Sequence, residues 1–205
     1  MKTIDSIYIV RHGQTDCNKK GIIQGRSVNA PLNEQGKEQA LAFYEHYYHL
    51  KFDAIFTSSL IRTHQTVAPF INSGHQHFTF DELDEIGWGV HEGKQPSVDL
   101  NLEYKRITND WTKGKWHSKT TGGESAWEVQ QRVSFFLDQL AEHNHKKILI
   151  CTHGRTSRVL LCTLLQQSLN EMKHYKHHNT ALSVLKKVET QKFNLTLLNC
   201  TKHLM

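Results

Sequence analysis

Two short apolar runs in this 205-residue chain end in the same charged corner, "SIYIVRHGQTDCN" at Ser6–Asn18 and "KKILICTHGRTSR" at Lys146–Arg158. Each run passes at once into His-Gly: His12-Gly13 in the first, His153-Gly154 in the second. As buried strands, both would set their histidine at a strand carboxyl end, where open α/β sheets bind ligands. If those strands are parallel neighbours, the two imidazoles and the Arg11 guanidinium converge on one spot. Gly13 and Gly154 let the backbone turn close to whatever sits there. Gly154 also opens a helix whose first amides would face an anion. A third stretch, "TSSLIRTHQT", puts Arg62 one turn into a helix on the same rim. Two arginines and a histidine around one point make a poor core, since Arg is almost never fully buried unpaired. They make a good phosphoryl clamp, because a guanidinium fork matches phosphate oxygens.

A histidine inside such a clamp suggests covalent catalysis. A neutral imidazole can attack phosphorus, and neighbouring arginines disfavour its charged form. The leaving alkoxide then needs a proton. The acidic run Asp81, Glu82, Asp84 and Glu85 supplies candidates, with mutual repulsion keeping one carboxyl protonated. Spacing does not choose among the four.

The elements that must position these groups follow from pattern. Ile4–Val10, Phe52–Ser59 and Ile148–Thr152 read as buried strands, with His77–Phe80 as a further one. Asn33 is placed to cap a helix through Leu50, and Ser58 and Ser59 to open one over Leu60–Phe70. Ser125-Ala-Trp-Glu128 is a capping box that starts a helix running to about His143. Gly154–Gln167 is a largely apolar helix, and Thr180–Val188 with Phe193–Cys200 a closing hairpin. Gly87–Thr121 is expected to be an irregular excursion over the top of the sheet. In it Trp111 and Trp116 pack, and Lys105, Lys113, Lys115 and Lys119 form a solvated face. This strand–helix alternation predicts one α/β domain over residues 1–205, its sheet covered by helices on both faces.

Composition sets the bounds. With 38% hydrophobic and 22% charged residues and a formal charge of +5, the chain suits a soluble globular protein with an anionic ligand. No dense Lys/Arg run predicts nucleic acid as a partner, and no apolar run is long enough for a membrane span. "MKTIDSIYIV" lacks the shape of an export signal, which predicts a cytoplasmic protein with Cys17, Cys151, Cys162 and Cys200 as free thiols. Of the 15 histidines, the densest groups (His143, His145, His174, His177 and His178) lack ligand spacing, so no metal is expected and these are placed on solvated surfaces.

Taken together, "RHGQTDCN", "SSLIRTHQT", "ELDEIGWGVHEG", "GGES" and "THGRTSR" resemble, in order and over nearly the whole chain, the histidine phosphatase superfamily in its phosphoglycerate mutase-like branch. The resemblance implies a three-layer α/β/α sandwich around a mostly parallel sheet with one antiparallel strand. It implies His12 as the nucleophile, Arg11, Arg62 and His153 as holders of the phosphoryl oxygens, and Glu85 as general acid and base. Asn18 matches an asparagine lining the phosphate pocket, and Gln24 and Gly25 fall where a loop approaches substrate. The family works with neither metal nor organic cofactor. One departure is His91-Glu92-Gly93, where many family phosphatases carry an aromatic before Glu-Gly; His91 is then a pocket-mouth or a surface residue.

Three activities fit. A phosphatase acting on a small phosphomonoester lets water resolve the phosphohistidine. A mutase of this family carries a longer, arginine-rich insertion after the catalytic Glu, whereas Gly93–Thr121 here is short and holds only Arg106. A non-catalytic phosphate-binding protein would be expected to lack His12 or Glu85. The phosphatase is favoured, with a fairly open pocket.

Overall fold

Side chains alternate along the three central strands, and that alternation builds both cores. In β1 (Ser6–Arg11), Ile7 and Ile9 point to one face while Tyr8 and Val10 point to the other. A short helix, α1 (Asp16–Lys20), and a longer one, α2 (Glu34–Tyr47), precede β2 (Ala54–Thr57), which divides Phe56 from Ile55 in the same way. α3 (Ile61–Asn72) leads to the edge strand β3 (Gln76–Thr79). Then come α4 (Val98–Thr112), α5 (Ala126–Leu140), β4 (Lys147–Thr152) and α6 (Gly154–Leu164), with β5 (Leu182–Glu189) and β6 (Lys192–Cys200) closing the sheet. The computed structural model describes residues 3–189 and 192–205; residues 1–2 and 190–191 lie outside them.

The six strands lie in the order β3-β2-β4-β1-β5-β6, and β5 alone runs against the others. α2 and α3 cover one face through Phe43, Val67 and Phe70. α5 and α6 cover the other through Val133, Phe136, Leu160 and Leu161. Each such side chain withdrawn from water contributes roughly 1.5–3 kcal/mol. The expected sandwich with one antiparallel strand is the fold observed.

Local chemistry sets the helix starts. Asn33 accepts from the Gly36 amide, and Ser125 and Glu128 form the reciprocal capping box. The hydroxyls before α3 behave differently from expectation. Leu60 is its N-cap without a side-chain bond; Ser58 Oγ accepts from the Leu60 amide, and Ser59 binds Asp84. The excursion is not irregular either. Ser97 caps α4, whose Ile107 and Trp111 are buried against Trp88 beside the α5–α6 core, while Val98 and Leu102 face outward and blur the apolar period. Trp116 packs there too, donating its Nε1–H to Asn170. The four lysines are exposed.

Candidate active site

β1 and β4 are parallel neighbours whose last paired residues are Arg11 and Thr152, so His12 and His153 emerge side by side. The His12 amide donates to the Thr152 carbonyl, and the two imidazole centroids stand 5.1 Å apart. Arg62 reaches them from the first turn of α3, wholly buried. The three residues meet as the strand ends dictated.

His12 is buried and its Nδ1 lies 2.7 Å from the Gly13 carbonyl. A carbonyl only accepts, so Nδ1 carries the proton and Nε2 keeps a free lone pair. Burial, then Arg62 and Arg11, hold this imidazole well below the ordinary histidine range, hence neutral. Asn179 fixes the backbone by donating to the His12 carbonyl, and Gly13 donates its amide to Thr66.

Arg62 spends Nε on His153 Nδ1 at 3.1 Å, and two further N–H groups on the Val28 and Gly25 carbonyls at 2.7 and 3.4 Å. A guanidinium has five donors, so two remain for a ligand. Arg11 donates to the His177 carbonyl, while its Nε is buried with no protein partner. Neither arginine has a carboxylate within 4.0 Å among the described residues. Burial lowers both, Arg62 to about 10, and leaves them cationic at neutral pH. His153 sits beneath them with both ring nitrogens engaged, by Arg62 and by Ser58 Oγ.

Glu85 takes the place expected for the anion at the start of α6. Its Oε1 accepts from the amides of Ile86, Arg155 and Thr156, whereas Oε2 accepts only from Arg155. The α6 amides therefore hold a carboxylate, not the ligand. Oε2 and Arg11 both border Gly154, where a Cβ would stand 3.6 and 3.5 Å from them. The rest of the acidic run does not line the site: Asp84 binds Ser59 and Arg26, and its pKa is raised first by burial, with the neighbouring Asp81 charge adding to it.

Arg11, His12, Arg62, Glu85 and Gly154 line one cavity of about 330 Å³ with Asn18 and Gln24, and His153 does not reach it. Asn18 Oδ1 is taken by Thr15 and Asn179, so its free amide N–H groups are what it can offer. Gln24 donates to Thr15 and keeps a buried Oε1 without a protein partner. Gly25 and Gly13 do not line the cavity; Gly25 instead holds Arg62 by its carbonyl. His91 is neither surface nor pocket mouth. It is buried, 2.7 Å from Glu103 of α4, in a place an aromatic would fill with no such tie. His177 is likewise buried, not solvated.

Among the lining residues not legible beforehand are Arg155 and Arg158 of α6, and Asn101 and Tyr104 of α4. The two arginines share one helical face at i, i+3, a signal present in "THGRTSR". With one carboxylate against four arginines, the cavity is strongly cationic. It can bind a phosphoryl dianion, present a neutral imidazole nitrogen to phosphorus and carry a proton on Glu85.

The family model described as histidine phosphatase superfamily (branch 1) matches residues 7–201. A Schizosaccharomyces pombe protein named a probable phosphatase is 46% identical over 167 residues, covering 78% of this chain and 74% of that protein. Phosphoserine phosphatase 1 of Hydrogenobacter thermophilus is 26% identical over 200 residues, covering 97% and 93%. Among solved structures, the alpha-ribazole phosphatase of Shigella flexneri superposes with a TM-score of 0.82 at 25% identity, over 95% of this chain and 96% of that one.

Proposed function

The chain belongs to branch 1 of the histidine phosphatase superfamily and is a phosphoric monoester hydrolase, and from that premise we propose how its residues perform the reaction. Nε2 of His12 attacks phosphorus while the bond to the ester oxygen breaks, with Arg11 and Arg62 holding the equatorial oxygens. Glu85 Oε2, the less engaged oxygen, gives its proton to the departing alkoxide. Water then attacks the phosphohistidine; Glu85 takes a proton from it, the P–N bond breaks, and inorganic phosphate leaves. The substrate is a small phosphorylated metabolite, and the continuous sheet supports the whole chain acting as one catalytic domain.

The observation that carries this reading is the free, neutral Nε2 of His12 beside two arginines with unspent donors. A mutase is disfavoured because Arg106, the one arginine of the excursion, is exposed and paired with Asp110 outside the cavity. The test is phosphate release from a panel of phosphomonoesters in excess EDTA, with 3-phosphoglycerate isomerisation followed in parallel. Release that vanishes in His12→Ala, with acid-labile phosphate trapped on the wild-type protein, is the expected result. Isomerisation without release would replace the phosphatase by the mutase.

A further inference from the structure

α6 borders two cavities. Arg155 and Arg158 also line a second cavity of about 310 Å³ on their far side. Its opposite wall carries Lys173 and Lys176, from the 3-10 turn Leu169–His174 and just beyond. Thr108, Asn109 and Thr112 of α4 add uncharged polar groups.

This second chamber holds four cations, and no carboxylate lines it among the described residues. None of the four makes an ion pair within 4.0 Å among those residues, unlike Arg132 and Lys119 nearby, which bind Glu124 and Glu128. Arg158 Nε is buried without a protein partner. Arg155 is steadied between the Tyr104 and Trp111 rings, 5.1 and 5.7 Å from their centroids, and its N–H groups donate to the Tyr104 hydroxyl. That stacking holds the cation in place without neutralising it. Structural arginines in a folded protein are ordinarily paired, so uncompensated cations around a cavity call for an anion from outside. The same two arginines line both cavities, so they are the residues that a molecule bound at His12 would meet on reaching toward the second.

We propose that the substrate carries a second oxyanion, phosphate or carboxylate, and that this group lodges between Arg155 and Arg158 on one side and Lys173 and Lys176 on the other. The inference rests on the phosphatase reading and narrows its substrate class to esters with two separated anionic groups. Esters with one anionic group lack that anchor and bind through the phosphoryl cavity alone.

The test compares glycerol 3-phosphate, 3-phosphoglycerate and fructose 1,6-bisphosphate on the wild type and on Lys173→Ala/Lys176→Ala. These lysines are exposed, so the double variant leaves the core intact. The wild type should prefer an ester with two anionic groups by roughly tenfold or more in kcat/KM, through KM, and the double variant should lose most of that preference. Whichever ester carries it tells phosphate from carboxylate. A wild-type ratio near one, or a ratio the double variant keeps, overturns the inference. Calorimetric binding of the same three esters to His12→Ala, with and without the lysines, reads the ranking without turnover. If no ester, p-nitrophenyl phosphate included, releases phosphate, the phosphatase reading fails while the calorimetric ranking still decides the second site.

Discussion

Nε of Arg62 donates to Nδ1 of His153 at 3.1 Å, deep in the sheet's carboxyl edge. Because a guanidinium has no acceptor, His153 holds its proton on Nε2, which points at Ser58 Oγ. The second histidine corner is thus arranged to aim an arginine, and under the proposed mechanism it acts on the phosphoryl group through that arginine. His153→Ala should lower kcat/KM by roughly 10–100-fold, as losing the partner that orients a ligand commonly does. His153→Asn, whose Oδ1 can accept from Arg62, should recover part of that loss. Steady-state kinetics on one ester compares them, and an Asn variant no better than Ala would show that His153 does not act by accepting from Arg62.

The environment of His12 sets a pH expectation. Burial, Arg62 and Arg11 lower its pKa, so the neutral nucleophile persists below the ordinary value of 6.5. The acid limb of kcat/KM should therefore lie below pH 6.5 and shift to higher pH in Arg62→Gln, where one depressing charge is gone. Titration of the substrate is common to both profiles and cancels in their ratio.

Stability carries the same sign for a different reason. Burial pushes His177 and His203 each to about 4, and lowers His12 and His153 as well. Between those values and 6.5 the unfolded chain binds protons that the native state refuses. Stability is then complete above 6.5 and is lost as pH falls. Unfolding free energies from urea titrations at pH 7 and pH 5 should differ by roughly 2–4 kcal/mol, about 1.4 per pH unit below 6.5 for each of His177 and His203. His203→Gln, at a position that does not line the cavity, should flatten the slope; an unchanged slope would remove that residue from the account.

The catalytic corners were legible because strand, turn and chemistry coincide within a few residues. Ile7–Val10 and Ile148–Cys151 alternate into both cores, so His12 and His153 could only emerge at adjacent strand ends. The region from Gly87 to Thr121 was opaque for the opposite reason. α4 turns Val98 and Leu102 to solvent and buries Ile107 and Trp111, so its apolar stripe covers only its second half. Its cavity-lining residues, Asn101 and Tyr104, sit in no motif of the kind His-Gly provides. Arg155 and Arg158 were visible as residues, but only the fold sets them on the walls of two cavities.

Glu85 offers a leaving-group test. Its Oε1 is taken by three amides and Oε2 by one, so Gln at this position would keep much of the hydrogen bonding while carrying no transferable proton. Glu85→Gln should lose roughly 10²–10⁴-fold on alkyl phosphates, the usual worth of a positioned acid. On p-nitrophenyl phosphate, whose leaving group departs unprotonated, the loss should be far smaller. Equal losses on both would remove Glu85 from the role of acid.

The last expectation concerns a residue with no chemistry of its own. Gly36 lies in the first turn of α2 against the loop that leaves His12. A Cβ there would stand 2.0 Å from the Gln14 carbonyl oxygen, and one on Gly13 would stand 2.6 Å from the Gly36 carbonyl oxygen. Helix propensity favours Gly→Ala by about 1 kcal/mol, but this contact is backbone against backbone and cannot relax by turning a side chain. Gly36→Ala should therefore reverse the usual sign and destabilise by roughly 1–3 kcal/mol, as overpacking does. Because the displaced Gln14 follows Gly13, whose carbonyl holds the His12 tautomer at 2.7 Å, kcat should fall as well. Denaturation and kinetics on the one variant separate the two effects. A more stable protein with full activity would mean that the α2 start yields to the loop, and that the His12 corner is not braced by it.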